Sequence, residues 1–373
     1  MTVDAPRIVV AGGHSAGHIE PAMNFADAVR RIAPDADITA LGTVRGLDTT
    51  LIPQRGYPLE LIPPVPLSRK INKALLQTPL KLKASVDAAA AVLERSRAEV
   101  VVGFGGYVAM PAYLAARRRK VPFVVHEANA RPGVANRAAA RLTPYVYTAS
   151  ESITLPHAAA IGIPLRPAIT TLDRAALHPE ACARFGLEPD SPVLLVTGGS
   201  QGAQAINTAV AAAAPALRAA GVQVLHITGP LNYDDVVAAA TDTGVAGDPA
   251  YRIVPYVEQM QYAYAAADFV ICRSGAMTTA ELTAVGLPAA YVPLPLRGGE
   301  QRTNAEPIVA AGGGLLVENA ELDSAWIERH VVPILTQPGA LASMAGAAAH
   351  AGERDADLVL ARAVLSIISD GRS

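Results

Sequence analysis

Short apolar runs alternate with longer amphipathic stretches along this chain. Arg7–Gly13 (RIVVAGG) precedes HIEPAMNFADAVRRIAP, and Asp37–Gly42 (DITALG) follows. Glu99–Gly106 (EVVVGFGG) leads into YVAMPAYLAARRRK, and VPFVVHEAN and PYVYTAS come next. Short apolar runs between helical periods predict buried strands in βαβ units, hence parallel sheets with helices on both faces. Prolines break the rhythm at Ala160–Ile169 (AIGIPLRPAI). It restarts with PVLLVTGGSQGAQAINTAVAAAAPAL and continues through VQVLHITG, YRIVPYV, DFVICRSG and LPAAYVPLP. Two doubly wound, Rossmann-like α/β halves are expected, residues 1–163 and 164–340, with a helical tail, 341–373, packing back on the first.

Composition fits this picture. A chain of 373 residues suits two domains. Hydrophobic residues make up 51%, enough for two cores, and a formal net charge of -2 argues against a nucleic-acid partner. Cys182 and Cys272 are too few for a disulfide framework or a Cys-rich zinc site. No window is apolar enough to span a bilayer and the start lacks a signal-peptide pattern, so a cytoplasmic, soluble or peripheral protein is expected.

Glycine-rich turns fall at four expected strand ends: Gly12–Gly17, Gly103–Gly106, Gly198–Gly202 and Ser274–Gly275. Ligands of open α/β sheets bind beyond these ends. In FVICRSGAMTTAEL the helix after Gly275 opens with unpaired N–H groups and a positive dipole end, which suit a phosphate. Thr278 and Thr279 can add hydroxyl donors, and Glu281 stands where a ribose would follow a diphosphate. The plainer alternative makes Ser274 an N-cap and Glu281 a solvated helix residue. Ser200 in GGSQGA has the same two readings, phosphate donor or compact turn. No loop carries a P-loop ending or a G-x-G-x-x-G fingerprint, which disfavours ATP hydrolysis and nicotinamide chemistry. His18, at the start of the first helix, is either a general base or a packing residue, with His14 close by. Asn129 in HEAN and Gln301 in GEQRTNA suit sugar hydroxyls, and Arg166 could neutralise a diphosphate or make a surface ion pair. No metal motif follows a strand, so the leaving group's charge would fall to helix N-termini and Arg166.

Leu61–Val86 carries Arg69, Lys70, Lys73, Lys81 and Lys83 among leucines, with no acid. This reads as an anionic membrane surface contact or as a solvated basic helix.

In order along the chain, AGGHSAGHIEPAM, GFGGYVAMPAYLAA, HEANARPGVANR, GGSQGAQAIN, CRSGAMTTAELTAVGLPAAYVPLP and GEQRTNA resemble the MurG glycosyltransferases, in their actinobacterial form. The resemblance runs from about Arg7 to the tail. It implies a GT-B fold, two Rossmann-like domains facing a central cleft. It implies an inverting transfer of GlcNAc from UDP-GlcNAc to the C4 hydroxyl of MurNAc-pentapeptide in undecaprenyl-linked lipid I, giving lipid II, with no cofactor or metal. Donor contacts of the family fall on Ser15, Ala16, Gly17, Asn129, Arg166, Ser200 and Gln301, and on Val257 as the uracil-holding backbone. They also fall on the run Ala276, Met277, Thr278, Thr279, Ala280 and Glu281, with Glu281 as the ribose carboxylate. His18 matches the family's proposed base, and Tyr107 with His14 lies on the acceptor side. The stretch around Lys70–Lys83 matches a membrane-docking region, which implies a peripheral protein on the cytoplasmic face of the membrane and cell-wall synthesis proteins as further partners.

The first loop departs from the family in having His14 for glycine and Ser15 for threonine. That leaves open a relative acting on a soluble or natural-product acceptor. A UDP-GlcNAc 2-epimerase and a non-catalytic nucleotide-sugar binder are the more distant alternatives.

Overall fold

In the computed structural model, residues 4–65, 78–199, 201–295 and 299–372 are described. The chain divides into two compact units, Met1–Leu165 with Asp355–Ser373, and Arg166–Arg354. The first unit holds β1 (Arg7–Gly12), β2 (Asp37–Gly42), β3 (Leu59–Leu61), β4 (Val100–Gly105), β5 (Phe123–Glu127), β6 (Val146–Thr148) and β7 (Ala158–Ala160). They form one sheet in the order β3-β2-β1-β4-β5-β6-β7. The second holds β8 (Val193–Thr197), β9 (Gln223–Ile227), β10 (Tyr251–Val254), β11 (Phe269–Cys272), β12 (Ala289–Tyr291) and β13 (Gly314–Leu316), ordered β10-β9-β8-β11-β12-β13. Every pairing between these strands is parallel.

The two-residue alternation of strand side chains explains why the runs are apolar throughout. Along β1, Ile8 and Val10 point into a core with Phe25, Met23 and Phe104. Val9 and Ala11 point into a second core with Tyr113, Leu93 and Val125. Both faces of the sheet are covered, so no position along β1 after Arg7 can be polar. In the second unit Leu194, Val196, Phe269 and Ile271 share a core with Ile206 and Leu217 of helix Gln204–Ala219.

The tail corrects one expectation. Only helix Ala356–Arg372 returns to the first unit, where Leu360, Val364 and Ile368 join the core beneath helix Ala16–Ile32. Buried Asp357 pairs there with Arg31, and Arg372 binds both carboxylate oxygens of Glu99, at 2.6 and 2.7 Å. Helix Pro338–His350 instead belongs to the second unit and packs on helix Ala276–Ala284. Its alanines allow this. Backbone at Gly313 and Gly286 approaches Ala348 and Ala349 so closely that a Cβ on either glycine would lie 2.9 and 3.1 Å from them.

Candidate functional site

In the first unit the loop between β1 and helix Ala16–Ile32 carries His14, Ser15 and His18. Ser15 occupies the N-cap with extended backbone, yet its side chain caps no amide. Its Oγ lies 3.1 Å from Nδ1 of His18 and orients the imidazole. Burial, and secondarily the charge of His14, hold the His18 pKa below its usual value, with Asp48 opposing. The ring is therefore neutral near pH 7 and able to accept a proton.

His14 occupies the left-handed region, with φ of 78°. A glycine would take this conformation without strain, so the histidine stands at a position whose backbone favours glycine. Three contacts hold His14 there. Its N–H donates to Oδ1 of fully buried Asp48 at 2.5 Å, its carbonyl accepts from Leu47 N at 3.2 Å, and its ring meets Tyr107 edge-on at 4.9 Å. The other oxygen of Asp48 accepts from Thr43 N at 2.7 Å. Sequence patterning gave no hint of Asp48, which joins a loop 34 residues away.

Asn129 belongs to a second network in this unit. Its N–H and its amide both donate to Oε1 of Glu127, at 2.9 and 3.4 Å. Oε2 of Glu127 accepts from Gly133 N and from Asn136 Nδ2, at 2.9 and 3.0 Å. Asn136 in turn accepts from Tyr113 OH at 2.8 Å. The phenol reaches it by passing under Gly103, where any Cβ would collide with it. Burial raises the Glu127 pKa against the pull of these donors. His126, wholly buried, has its pKa lowered to about 4 by burial, while its Nε2 meets the Gly162 carbonyl at 2.9 Å. Its ring is packed and hydrogen-bonded within the unit.

In the second unit a cavity of about 160 Å³ opens at the carboxyl ends of the strands. Arg166, Val257, Thr278 and Glu281 line it, bringing together residues expected from three separate stretches of the sequence. Thr197, Tyr264 and Arg273 also line it and were not foreseen. Helix Ala276–Ala284 starts at this cavity with Gly275 as its N-cap. Ser274 is not the cap; its carbonyl accepts from Asn304 Nδ2 at 3.2 Å. Thr278 and Glu281 stand three residues apart and so share one helix face. Ala276, Met277 and Ala280 are not among the residues lining this cavity. What the start of their helix offers is backbone, since the first N–H groups of a helix lack intrahelical acceptors.

Thr279 corrects the sequence reading. Its hydroxyl turns back to the carbonyls of Ala276 and Gly275, at 2.9 and 3.2 Å, and is buried, so it is no donor toward the cavity. Gln301 uses its Oε1 to accept from Leu294 N at 2.9 Å, fixing the segment after β12. Glu281 accepts from Tyr264 OH at 2.8 Å. Ser200 lies outside the described residues, as do Arg69, Lys70 and Lys73.

Lys81 and Lys83 sit on helix Thr78–Arg95. Lys83 pairs at 2.9 Å with Asp87, which also accepts from Arg118 at 2.5 Å, so the basic stretch meets an acid one residue past its apparent end. Leu80 on the same helix is 72% exposed. Among the described residues no single helix is long and apolar enough to cross a membrane, and no group of three His, Cys, Asp or Glu side chains is arranged to hold a metal.

Comparison with known proteins adds to this geometry. Residues 8–148 match the model of the glycosyltransferase family 28 N-terminal domain, and residues 193–360 that of the family 28 C-terminal domain. A Thermobifida fusca protein, UDP-N-acetylglucosamine--N-acetylmuramyl-(pentapeptide) pyrophosphoryl-undecaprenol N-acetylglucosamine transferase, is 54% identical over 361 residues, 97% of this chain and 94% of its own. The transferase of the same name from Mycolicibacterium smegmatis is 55% identical over 370 residues, covering 98% and 95%. The crystal structure of Acinetobacter baumannii MurG superposes with a TM-score of 0.79 at 24% identity, over 97% of this chain and 100% of that one. UDP-GlcNAc 2-epimerase from Neisseria meningitidis shares the fold at a TM-score of 0.64 and 17% identity, over 96% and 99%.

Proposed function

Because the chain belongs to glycosyltransferase family 28 and, within it, to the MurG transferases, we infer that it moves GlcNAc from UDP-GlcNAc to lipid I, the undecaprenyl-pyrophosphoryl MurNAc-pentapeptide, forming lipid II. The observation that carries this reading is identity above 50% over nearly the whole of both chains with transferases of that one kind. The soluble-acceptor and epimerase alternatives are not favoured. Likeness to the epimerase is one of fold, at 17% identity.

The finer assignments are our reading of the two units. The second unit holds the donor, with the uracil against the backbone of Val257 and the ribose on the Glu281 carboxylate. The diphosphate takes the N-terminus of helix Ala276–Ala284, with Thr278 and Arg166 beside it. Their shared lining of one cavity supports this. The first unit supplies the base. His18, kept neutral by burial, takes the proton of the MurNAc C4 hydroxyl as its oxygen attacks the anomeric carbon. The bond from that carbon to the diphosphate breaks on the opposite side, so the configuration inverts and UDP leaves with the electron pair. Helix dipole and guanidinium take up the leaving charge, so no metal is required. We place the protein on the inner face of the membrane. Exposed Leu80, with the Arg69, Lys70 and Lys73 stretch before it in sequence, favours an anionic surface.

UDP release measured with and without a short-chain lipid I analogue, in EDTA, tests the reading. Acceptor-dependent release in EDTA is expected. Donor binding without release would refute lipid I as acceptor, and release abolished by EDTA would refute metal independence. Sedimentation with anionic but not neutral vesicles is the expected outcome for the membrane contact.

A further inference from the structure

Tyr264 stands on helix Met260–Ala266, 17 residues before its partner, and its side chain is 3% exposed. Its hydroxyl donates to Oε2 of Glu281 at 2.8 Å inside the cavity of the second unit. Burial and the neighbouring carboxylate raise the phenol pKa well above its usual value, so the proton stays on the tyrosine and the donor role is fixed.

The backbone beneath is held as firmly. The guanidinium of Arg174, on helix Arg174–Phe185, donates to the Tyr264 carbonyl at 3.0 Å, to the Ala267 carbonyl, and to the Gly286 carbonyl at 3.3 Å. Gly286 lies just past the end of the helix that bears Glu281. One partly buried cation thus ties the Tyr264 helix and the Glu281 helix to a common post.

A glutamate has three rotatable side-chain bonds, and fixing them opposes binding. A carboxylate has about four lone-pair sites, so one bond to Tyr264 is compatible with accepting from both hydroxyls of a ribose. We propose that Tyr264 is a positioning residue for the donor ribose: it presets the Glu281 carboxylate before the nucleotide arrives. The proposal rests on the assignment of Glu281 as the ribose carboxylate.

The test compares UDP with 2′,3′-dideoxy-UDP by calorimetry, on the full chain and on Glu281→Gln and Tyr264→Phe, with melting temperatures recorded alongside. The full chain should bind UDP at least tenfold more tightly than the dideoxy analogue, about 1.4 kcal/mol. Glu281→Gln should lose that preference. Tyr264→Phe should weaken UDP about fivefold and leave the dideoxy analogue unchanged. Its KM for UDP-GlcNAc should rise with little change in kcat. Equal weakening of both nucleotides, or none, in Tyr264→Phe would overturn the positioning role while leaving Glu281 in place. An undiminished preference in Glu281→Gln would overturn the ribose assignment and the Tyr264 role with it. Dideoxy-UDP binding in each variant also reports that the cavity is folded.

Discussion

Gly105 lies against the edge of the His18 imidazole: a Cβ on it would come within 2.8 Å of Cδ2 and 3.0 Å of Nε2. Its φ of 101° also lies outside what an L side chain readily adopts. Gly105→Ala must therefore displace the ring and strain the end of β4. If His18 is the base, acceptor-dependent UDP release should fall by about 10²-fold or more. UDP binding to the second unit, followed by calorimetry, should not change. Loss of both would mean that the substitution unfolds more than its own unit.

His14 should rank glycine above alanine. His14→Ala keeps the left-handed strain while removing the edge-on contact with Tyr107, and should cost about 1 kcal/mol. His14→Gly loses the same contact but relieves the strain, and should be more stable than His14→Ala by about 1 kcal/mol. Urea midpoints of the two variants give the comparison.

The pH profile should move in opposite directions on the two sides of His18. The charge of His14 lowers the His18 pKa and Asp48 raises it, each acting after the larger effect of burial. A base must be deprotonated, so activity falls as pH drops through this pKa. His14→Gly removes a lowering influence and should carry the acid limb of kcat/KM to higher pH. Asp48→Asn should carry it to lower pH. A limb that stays in place in both variants would remove His18 from the proton transfer.

Stability should fall on acidification because two buried histidines resist protonation in the folded state. Burial takes His126 down to about 4 and His226 to about 3, from an ordinary 6.5. Both are neutral when folded and charge freely when unfolded, so the unfolded chain binds more protons. Their stabilisation is complete above about pH 6.5 and is lost as pH falls toward the folded values. Each contributes a slope approaching 1.4 kcal/mol per pH unit, an order-of-magnitude figure for a wholly buried group. Denaturant unfolding between pH 7.5 and 4.5 measures it. His226→Gln, whose amide cannot charge, should flatten the dependence of the second unit even if it lowers the plateau.

Much of the fold was legible because the central strands are buried on both faces and so read as unbroken apolar runs. The strands that escaped are β3, β7 and β13, three residues each, at sheet edges where one neighbour suffices. Of the candidate site, the strand–Gly–helix punctuation before Glu281 and the place of His18 at the start of the first helix could be read from the sequence. Tyr264 and Asp48 could not, since their partners are 17 and 34 residues away and nothing local marks them. Thr279 misled for a simpler reason: a threonine hydroxyl on a helix chooses between outward and backward rotamers, and sequence does not record the choice. The partner of Lys83 was missed because Asp87 stands just beyond the basic window.

The return of helix Ala356–Arg372 to the first unit bears on the order in which the protein is made. Residues 166–354 form the second unit without interruption and can complete their core as they emerge from the ribosome. The first unit has its seven strands early but lacks Leu360, Val364 and Ile368, and Asp357 to pair with Arg31, until the second unit has been translated. Until then the part of helix Ala16–Ile32 that meets the returning helix lacks its cover. The unit begun first is thus completed after the unit begun second, and the nascent chain carries an unfinished surface throughout the synthesis of residues 166–354, open to chaperones or to its neighbours on the same message.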